Sequence, residues 1–226
     1  MPLSYVRRIL LATVLAAVLG STVACNKPVS PADTSPAALD VKISVLDTDP
    51  KQNTLAVVMQ FLSGGQIVQF AGGESVSCNN VALTFNALVS GYAERVPLLA
   101  PGGKYRFTYT RNGTPTTVEV TAPPRPVLLT PPPNAQVPRT TNLTITYTPG
   151  NGAAVRGSAG DGSTGLGGPG EQPDNGQYTG FDVTSLKAGP GTIGLTRILR
   201  LADTTTAFKS VNVEYSVSTD RAVTWT

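Results

Sequence analysis

Histidine is absent from all 226 residues, which removes the commonest general base, nucleophile activator and neutral-pH zinc ligand. Serine or cysteine hydrolysis of the histidine-dependent kind is excluded with it. Carboxylate-only catalysis, as in glycoside hydrolysis, needs two acids about 5–9.5 Å apart in a cleft. Asp47 and Asp49 in "LDTDP" stand close in sequence, but they read as turn residues leaving a first strand. The segment "GNGAAVRGSAGDGSTGLGGPGEQPDNG" (150–176) carries Asp161, Glu171 and Asp174 beside Asn151 and Asn175, and ten of its 27 residues are glycine. Oxygen ligands on a pliable chain would suit Ca²⁺. The D-x-[DN]-x-[DN]-G-x₅-E order of a calcium loop is missing, however, and so is the G-x-x-x-x-G-K-[ST] string of a phosphate cradle. The segment reads as a long mobile loop between strands, a length often tied to function. It is the first candidate for a binding surface, with Arg156 and Tyr178 at its shoulders. No catalytic residue, metal ligand or cofactor is assigned.

Tyr92, Tyr105, Tyr109, Tyr147 and Tyr215 could form a stacking surface for sugars, yet their strand parity groups them with Val, Ile and Phe and assigns them to a core. Two cysteines are present, Cys25 and Cys78. Cys78 sits mid-strand in an apolar pattern and reads as a small buried hydrophobe. A Cys25–Cys78 disulfide is conceivable in an oxidising compartment.

Arg7 and Arg8 precede a 12-residue apolar run from Ile9 to Gly20, closed by the small residues Ser21, Thr22 and Ala24. That is the build of an export signal over residues 1–24, and the run is short of the ~20 residues a spanning helix needs. "TVAC" (22–25) resembles the lipobox of bacterial lipoproteins, departing from it at Thr22, where Leu or Val is usual. The resemblance covers residues 7–25. It implies cleavage before Cys25, a diacylglycerol on its thiol, and a partner in the membrane lipid of the bacterial cell envelope, at the outer membrane or cell surface. Ordinary cleavage after Ala24 is the alternative and would give a soluble periplasmic or secreted protein. Residues 25–40 are rich in Pro and Ser without an aromatic residue; such a segment cannot build a core and suits a tether. Without Arg7 and Arg8 the 17 basic residues become 15, against 14 acidic ones. No basic cluster remains to bind nucleic acid.

From residue 41 onward, apolar runs alternate with period two between Gly, Pro and Asn, the pattern of an all-β protein. Three hairpins follow from register. A turn at Gly64-Gly65 pairs Phe61 with Val68, Met59 with Phe70 and Gln60 with Gln69. A turn at Asn79-Asn80 pairs Cys78 with Val81 and Val76 with Leu83. A turn at Asn112-Gly113 pairs Tyr105 with Val120, Phe107 with Val118 and Tyr109 with Thr116, and sets Arg106 opposite Glu119 and Thr108 opposite Thr117. "TAPPRPVLLTPPPNAQVP" reads as linker plus an edge strand at 127–129, because proline cannot serve a central strand.

These signals divide the exported part into a β-sandwich over 41–122 and another over 123–226. Pro126–Pro131, "NAQV" (134–137) and "NLTITY" (142–147) resemble the opening of immunoglobulin-like and fibronectin type III-like modules, over roughly 125–217. The resemblance implies two small immunoglobulin-like β-sandwich domains in tandem. A faint repeat agrees with it: "GYAERVPLLAPGGKYRF" and "QYTGFDVTSLKAGPGTIGL" space their apolar residues alike. A single two-layer body with a long insertion is the rival arrangement. The function expected of this assembly is non-enzymatic, structural or binding, with another envelope protein or a glycan as partner. One alternative is an accessory lipoprotein that assists export or assembly of an envelope complex, pairing a client along an edge strand such as 211–217. A carboxylate-dependent enzyme acting on envelope polymers is the other.

Overall fold

The computed structural model describes residues 34–47, 53–70, 72–150, 152–203 and 207–226. The export signal, Cys25, nearly all of the tether and Asp49 lie outside these residues. The nine strands of the N-terminal half are β1 (Asp40–Leu46), β2 (Thr54–Ser63), β3 (Gln66–Ile67), β4 (Glu74–Cys78), β5 (Val81–Ala82), β6 (Thr84–Asn86), β7 (Gly91–Pro97), β8 (Lys104–Arg111) and β9 (Thr114–Thr121). Then follow β10 (Leu128–Thr130), β11 (Gln136–Val137), β12 (Leu143–Tyr147), β13 (Ala154–Gly160), β14 (Gly165–Gly167), β15 (Gln177–Phe181), β16 (Gly189–Asp203) and β17 (Ser210–Trp225). The fold is all-β, as the alternation requires. A 3-10 turn, Pro36–Ala38, precedes β1.

The chain forms two compact units. The first comprises residues 34–122 together with 200–216, and the second comprises 123–199 and 217–226. The sequence reading placed all of 123–226 in one domain; the structure instead gives 200–216 to the first unit. The reason lies in β1. Its seven residues pair antiparallel with β2 on one side and parallel with residues 210–216 of β17 on the other, from Asp40↔Ser210 to Leu46↔Ser216. Lys209 and Ser210 both bond the Asp40 carboxylate, Lys209 Nζ at 2.9 Å and Ser210 Oγ at 2.6 Å. The Ser210 hydroxyl, followed by Lys209, lowers the Asp40 pKa below its ordinary value. The strand 211–217, expected as an edge, is therefore interior.

In the first unit the sheet carrying β1, β2, β7 and β6 faces a second sheet of order β5-β4-β8-β9. Alternation buries Val41, Ile43 and Val45 of β1 and Leu55, Val57, Met59 and Phe61 of β2. Across the core they meet Tyr105, Phe107 and Tyr109 of β8 and Val118 and Val120 of β9. Phe61 and Tyr109 approach to 5.2 Å between ring centroids, and Tyr105 and Tyr215 to 5.8 Å. Phe208 joins this core 6.2 Å from Phe61 and 6.0 Å from Tyr109.

The Asn112-Gly113 hairpin has the expected register throughout, with Arg106↔Glu119 and Thr108↔Thr117 on its polar face. The Asn79-Asn80 turn also forms, both asparagines holding positive φ (48° and 67°). The Gly64-Gly65 hairpin forms only at its tip. Ser63↔Gln66 and Leu62↔Ile67 pair, and Val68 N–H donates to Phe61 O at 2.8 Å. Beyond that point β7 occupies the same side of β2, so Met59 pairs with Tyr92 rather than Phe70, and Gln60 Nε2 donates to Val89 O rather than meeting Gln69. Phe70 turns inward and stacks on Tyr92 at 5.1 Å. Cys78 closes β4 rather than lying mid-strand. Its thiol is free and buried, and burial pushes its pKa up to about 12.

The second unit opposes a three-stranded sheet, β10-β12-β15, to a sheet carrying β14, β13, β16 and β17, with β11 parallel to the end of β17. Leaving aside the two-residue β11, the unit's first, second and fifth strands lie on one layer and the rest on the other, an immunoglobulin-like, fibronectin type III-like sandwich topology. Leu143, Ile145, Tyr147, Tyr178 and Phe181 of the first layer meet Val155, Ile193, Leu195, Val223 and Trp225 of the second. One expectation changes: the segment read as one long loop contains β13, β14 and an isolated bridge, Val155↔Gln172.

Replacing Phe208, which lies far from the first unit in sequence, removes a ring from that unit's core. Phe208→Ala is expected to destabilise the unit by about 3–5 kcal/mol, read by denaturant unfolding with the amide exchange of β1 and β2 as reporter.

Candidate functional site

Four of the glycines of 150–176, at 150, 152, 157 and 168, mark close approaches by large side chains. Arg197 lies on the core-facing parity of β16, in line with Ile193 and Leu195, and its side chain is 1% exposed. Its Nε donates to Asp174 Oδ2 at 2.8 Å, Nη1 to Pro124 O at 2.8 Å and Nη2 to Thr148 O at 2.6 Å. Asp174, equally buried, also accepts from Gly152 N at 3.0 Å. A Cβ on Gly152 would stand 2.6 Å from that carboxylate and 2.7 Å from Arg197 Cγ. Gly157 and Gly168 are likewise flattened against the ring of Tyr178, which is fully buried and donates its hydroxyl to Gly170 O at 2.8 Å. Glycine here permits packing density rather than motion.

The five side chains expected at a binding surface therefore sort into two sets. Asp174 and Tyr178 are internal, which corrects their reading as contacts. Arg156 on β13 and Glu171 after β14 form an ion pair with each other at the surface, their side chains 54% and 31% exposed. Asp161 closes the β13–β14 turn: Oδ1 accepts from Ser163 N, Ser163 Oγ and Thr164 N at 2.7–2.8 Å, and Oδ2 accepts from Lys187 N at 2.8 Å. These donors, Lys187 N foremost, hold its carboxyl well below the usual carboxylate range. The five do not converge on one point. Among the described residues no group of three or more His, Cys, Asp or Glu side chains could hold a metal ion.

Sequence reasoning missed the residues that secure this region. Arg197 was detectable as a charge at a core-parity position in "TIGLTRIL". Gln172 and Arg221 gave no local signal. The Gln172 amide donates to Thr179 O at 2.7 Å and accepts from Thr179 N at 3.0 Å, covering the open side of β15. Arg221 donates to the carbonyls of Leu128 and Pro131, covering β10. Tyr92, Tyr105, Tyr109, Tyr147 and Tyr215 are all buried, as their parity required.

No protein-family model matches the chain, and no curated protein matches it. Solved structures similar to it include SGBP-B of the Bacteroides ovatus mixed-linkage glucan utilization locus, in complex with a mixed-linkage heptasaccharide. The two are 10% identical over 90% of this chain and 69% of that one, with a TM-score of 0.27. A two-domain fibronectin type III segment of chicken tenascin is 12% identical over 82% of this chain and 100% of that one, with a TM-score of 0.27. The fibronectin(III)-like modules of Clostridium thermocellum CbhA are 13% identical over 84% and 93%, with a TM-score of 0.25.

Arg197→Met would strand the Asp174 carboxylate in the core. A loss of about 3–5 kcal/mol is expected, as for other half-broken buried pairs, measured by urea unfolding. Asp161 has a depressed folded pKa, so its contribution is complete above its unfolded value of ~3.9 and disappears as pH falls through the folded value. The stability gap between the native chain and Asp161→Asn should therefore be constant near neutrality and narrow in acid, as read by thermal melts across pH.

Proposed function

We propose that this chain is a non-enzymatic protein of the bacterial cell envelope, anchored through a lipid on Cys25, whose two β-sandwich units serve a structural or binding role toward another envelope protein or a glycan. One observation carries this reading. The side chains of 150–176 best suited to chemistry are engaged in holding backbone: Asp174 with Arg197, Asp161 across its turn, and Tyr178 on Gly170. What the units offer a partner is their surface, where the Arg156–Glu171 ion pair is exposed. We place the contact there. The buried tyrosines and Trp225 leave a polypeptide better served than a sugar, since their ring faces are taken up in the cores. The apolar run before Cys25 and the Pro/Ser-rich stretch after it support attachment to the membrane and display beyond it. Among the described residues no helix is long and apolar enough to cross a membrane.

The anchor is tested by Cys25→Ala in the full chain, followed by membrane fractionation and the intact mass of the mature protein. The native chain should sediment with membranes and carry the mass of its acyl chains. The variant should move to the soluble fraction. Equal fractionation of both, with an unmodified mature N-terminus, would defeat the proposal.

A further inference from the structure

The sheet edges in this fold are treated unequally. In the second unit β15 is covered by the Gln172 amide and β10 by the Arg221 guanidinium, so the three-stranded sheet has a side chain over each edge. Covering of this kind is how native proteins keep open strands from recruiting other chains. In the first unit β5 and β6 are edges of two and three residues. By contrast β9 ends its sheet with eight residues, TPTTVEVT, paired on one side only among the described residues.

The register defines what that edge presents. Arg111↔Thr114 flank a two-residue turn and so exchange hydrogen bonds, as do Tyr109↔Thr116, Phe107↔Val118 and Tyr105↔Val120. Pro115, Thr117, Glu119 and Thr121 consequently direct their backbone groups away from β8. Every outward position except Pro115 carries both a donor and an acceptor. The proline lies at the turn end, where its missing N–H costs the ladder least.

We propose that β9 pairs antiparallel with β9 of a second copy of this chain, about a two-fold axis through Val118. Three two-fold registers set at least three of the four outward residues opposite one another. Centring on Thr117 sets Pro115 against Glu119 on both sides and loses two donors near the middle. Centring on Glu119 sets two carboxylates face to face, which is unfavourable. Centring on Val118 sets Thr117 against Glu119 twice and Thr121 against Pro115 twice, so both central pairs exchange two hydrogen bonds and the prolines fall at the ends. In that register Val118 meets its own copy on the core side, continuing the apolar face. Each Glu119 keeps its own neutralising partners, Lys104 Nζ at 2.8 Å and Arg106 Nη2 at 2.9 Å. Edge pairing buries little area compared with a permanent interface, so the dimer is weak and dependent on concentration.

The test uses the full chain carrying Cys25→Ala, which removes acylation and an intermolecular disulfide as causes of association. Sedimentation equilibrium over the micromolar to millimolar range should give a monomer–dimer curve. Thr117→Pro deletes an outward N–H that the internal ladder does not use, and it should raise the dissociation constant by roughly thirty-fold, the effect of two lost hydrogen bonds. Independently of any variant, the amides of Thr117, Glu119 and Thr121 should exchange slowly at high concentration and quickly on dilution. A chain monomeric throughout the range would overturn the proposal. So would a dimer indifferent to Thr117→Pro whose β9 edge amides exchange fast at every concentration.

Discussion

The guanidinium of Arg197 is shut away from water and tied to two backbone carbonyls and a carboxylate from three separate stretches of chain, and the second unit is arranged around it. Desolvating an ion pair costs several kcal/mol per charge, and only good geometry with further hydrogen bonds offsets it. Arg197 has both: the Asp174 carboxylate in front and the carbonyls of Pro124 and Thr148 beside it. Those partners fix the entry to the unit, the end of β12 and the approach to β15. A planar fork with five donors suits this role, since lysine would offer one charge point and no such spread. The glycines at 150 and 152 follow from it, because a Cβ at either would run into the guanidinium or its carboxylate.

A comparable dependence governs the first unit, in apolar form. Phe61, Phe70, Tyr92, Tyr109 and Phe208 make a continuous ring cluster, with centroid spacings of 4.8–6.2 Å. One of these rings comes from the C-terminal stretch 200–216, which also supplies the parallel neighbour of β1. The first unit is thus completed by residues 200–216, separated from the rest of it in sequence by 123–199 of the second unit. Such non-local pairing is slow to form, because loop-closure entropy must be met before the contacts exist.

Two sandwiches built this way make stiff scaffolds, and a sandwich alone is silent on function. What discriminates among roles is the disposition of polar groups. Carboxylates capable of chemistry are instead caps and counter-ions, and aromatic rings are core. Two strand edges of the second unit are occupied by side chains from the opposite layer, while the outward positions of β9 other than Pro115 keep both a backbone donor and an acceptor facing outward.

Period-two alternation and turn chemistry were readable directly: the Asn112-Gly113 and Asn79-Asn80 hairpins, the buried tyrosines, the edge character of the Pro-flanked β10 and the all-β class all rest on interactions within about ten residues. The Gly64-Gly65 hairpin was readable only at its tip, because β7 competes for the same side of β2. Glycine-rich 150–176 misled as a mobile loop, since composition cannot distinguish a glycine that frees the chain from one that admits Tyr178 or Arg197. The placement of 200–216 against β1, the burial of Asp174 and the covering of β10 and β15 join residues from distant parts of the chain. Local pattern sets which residues face inward, through geometry that each strand carries alone; which strands and charges then meet is decided by the folded core, because that energy exists only once both partners are in place.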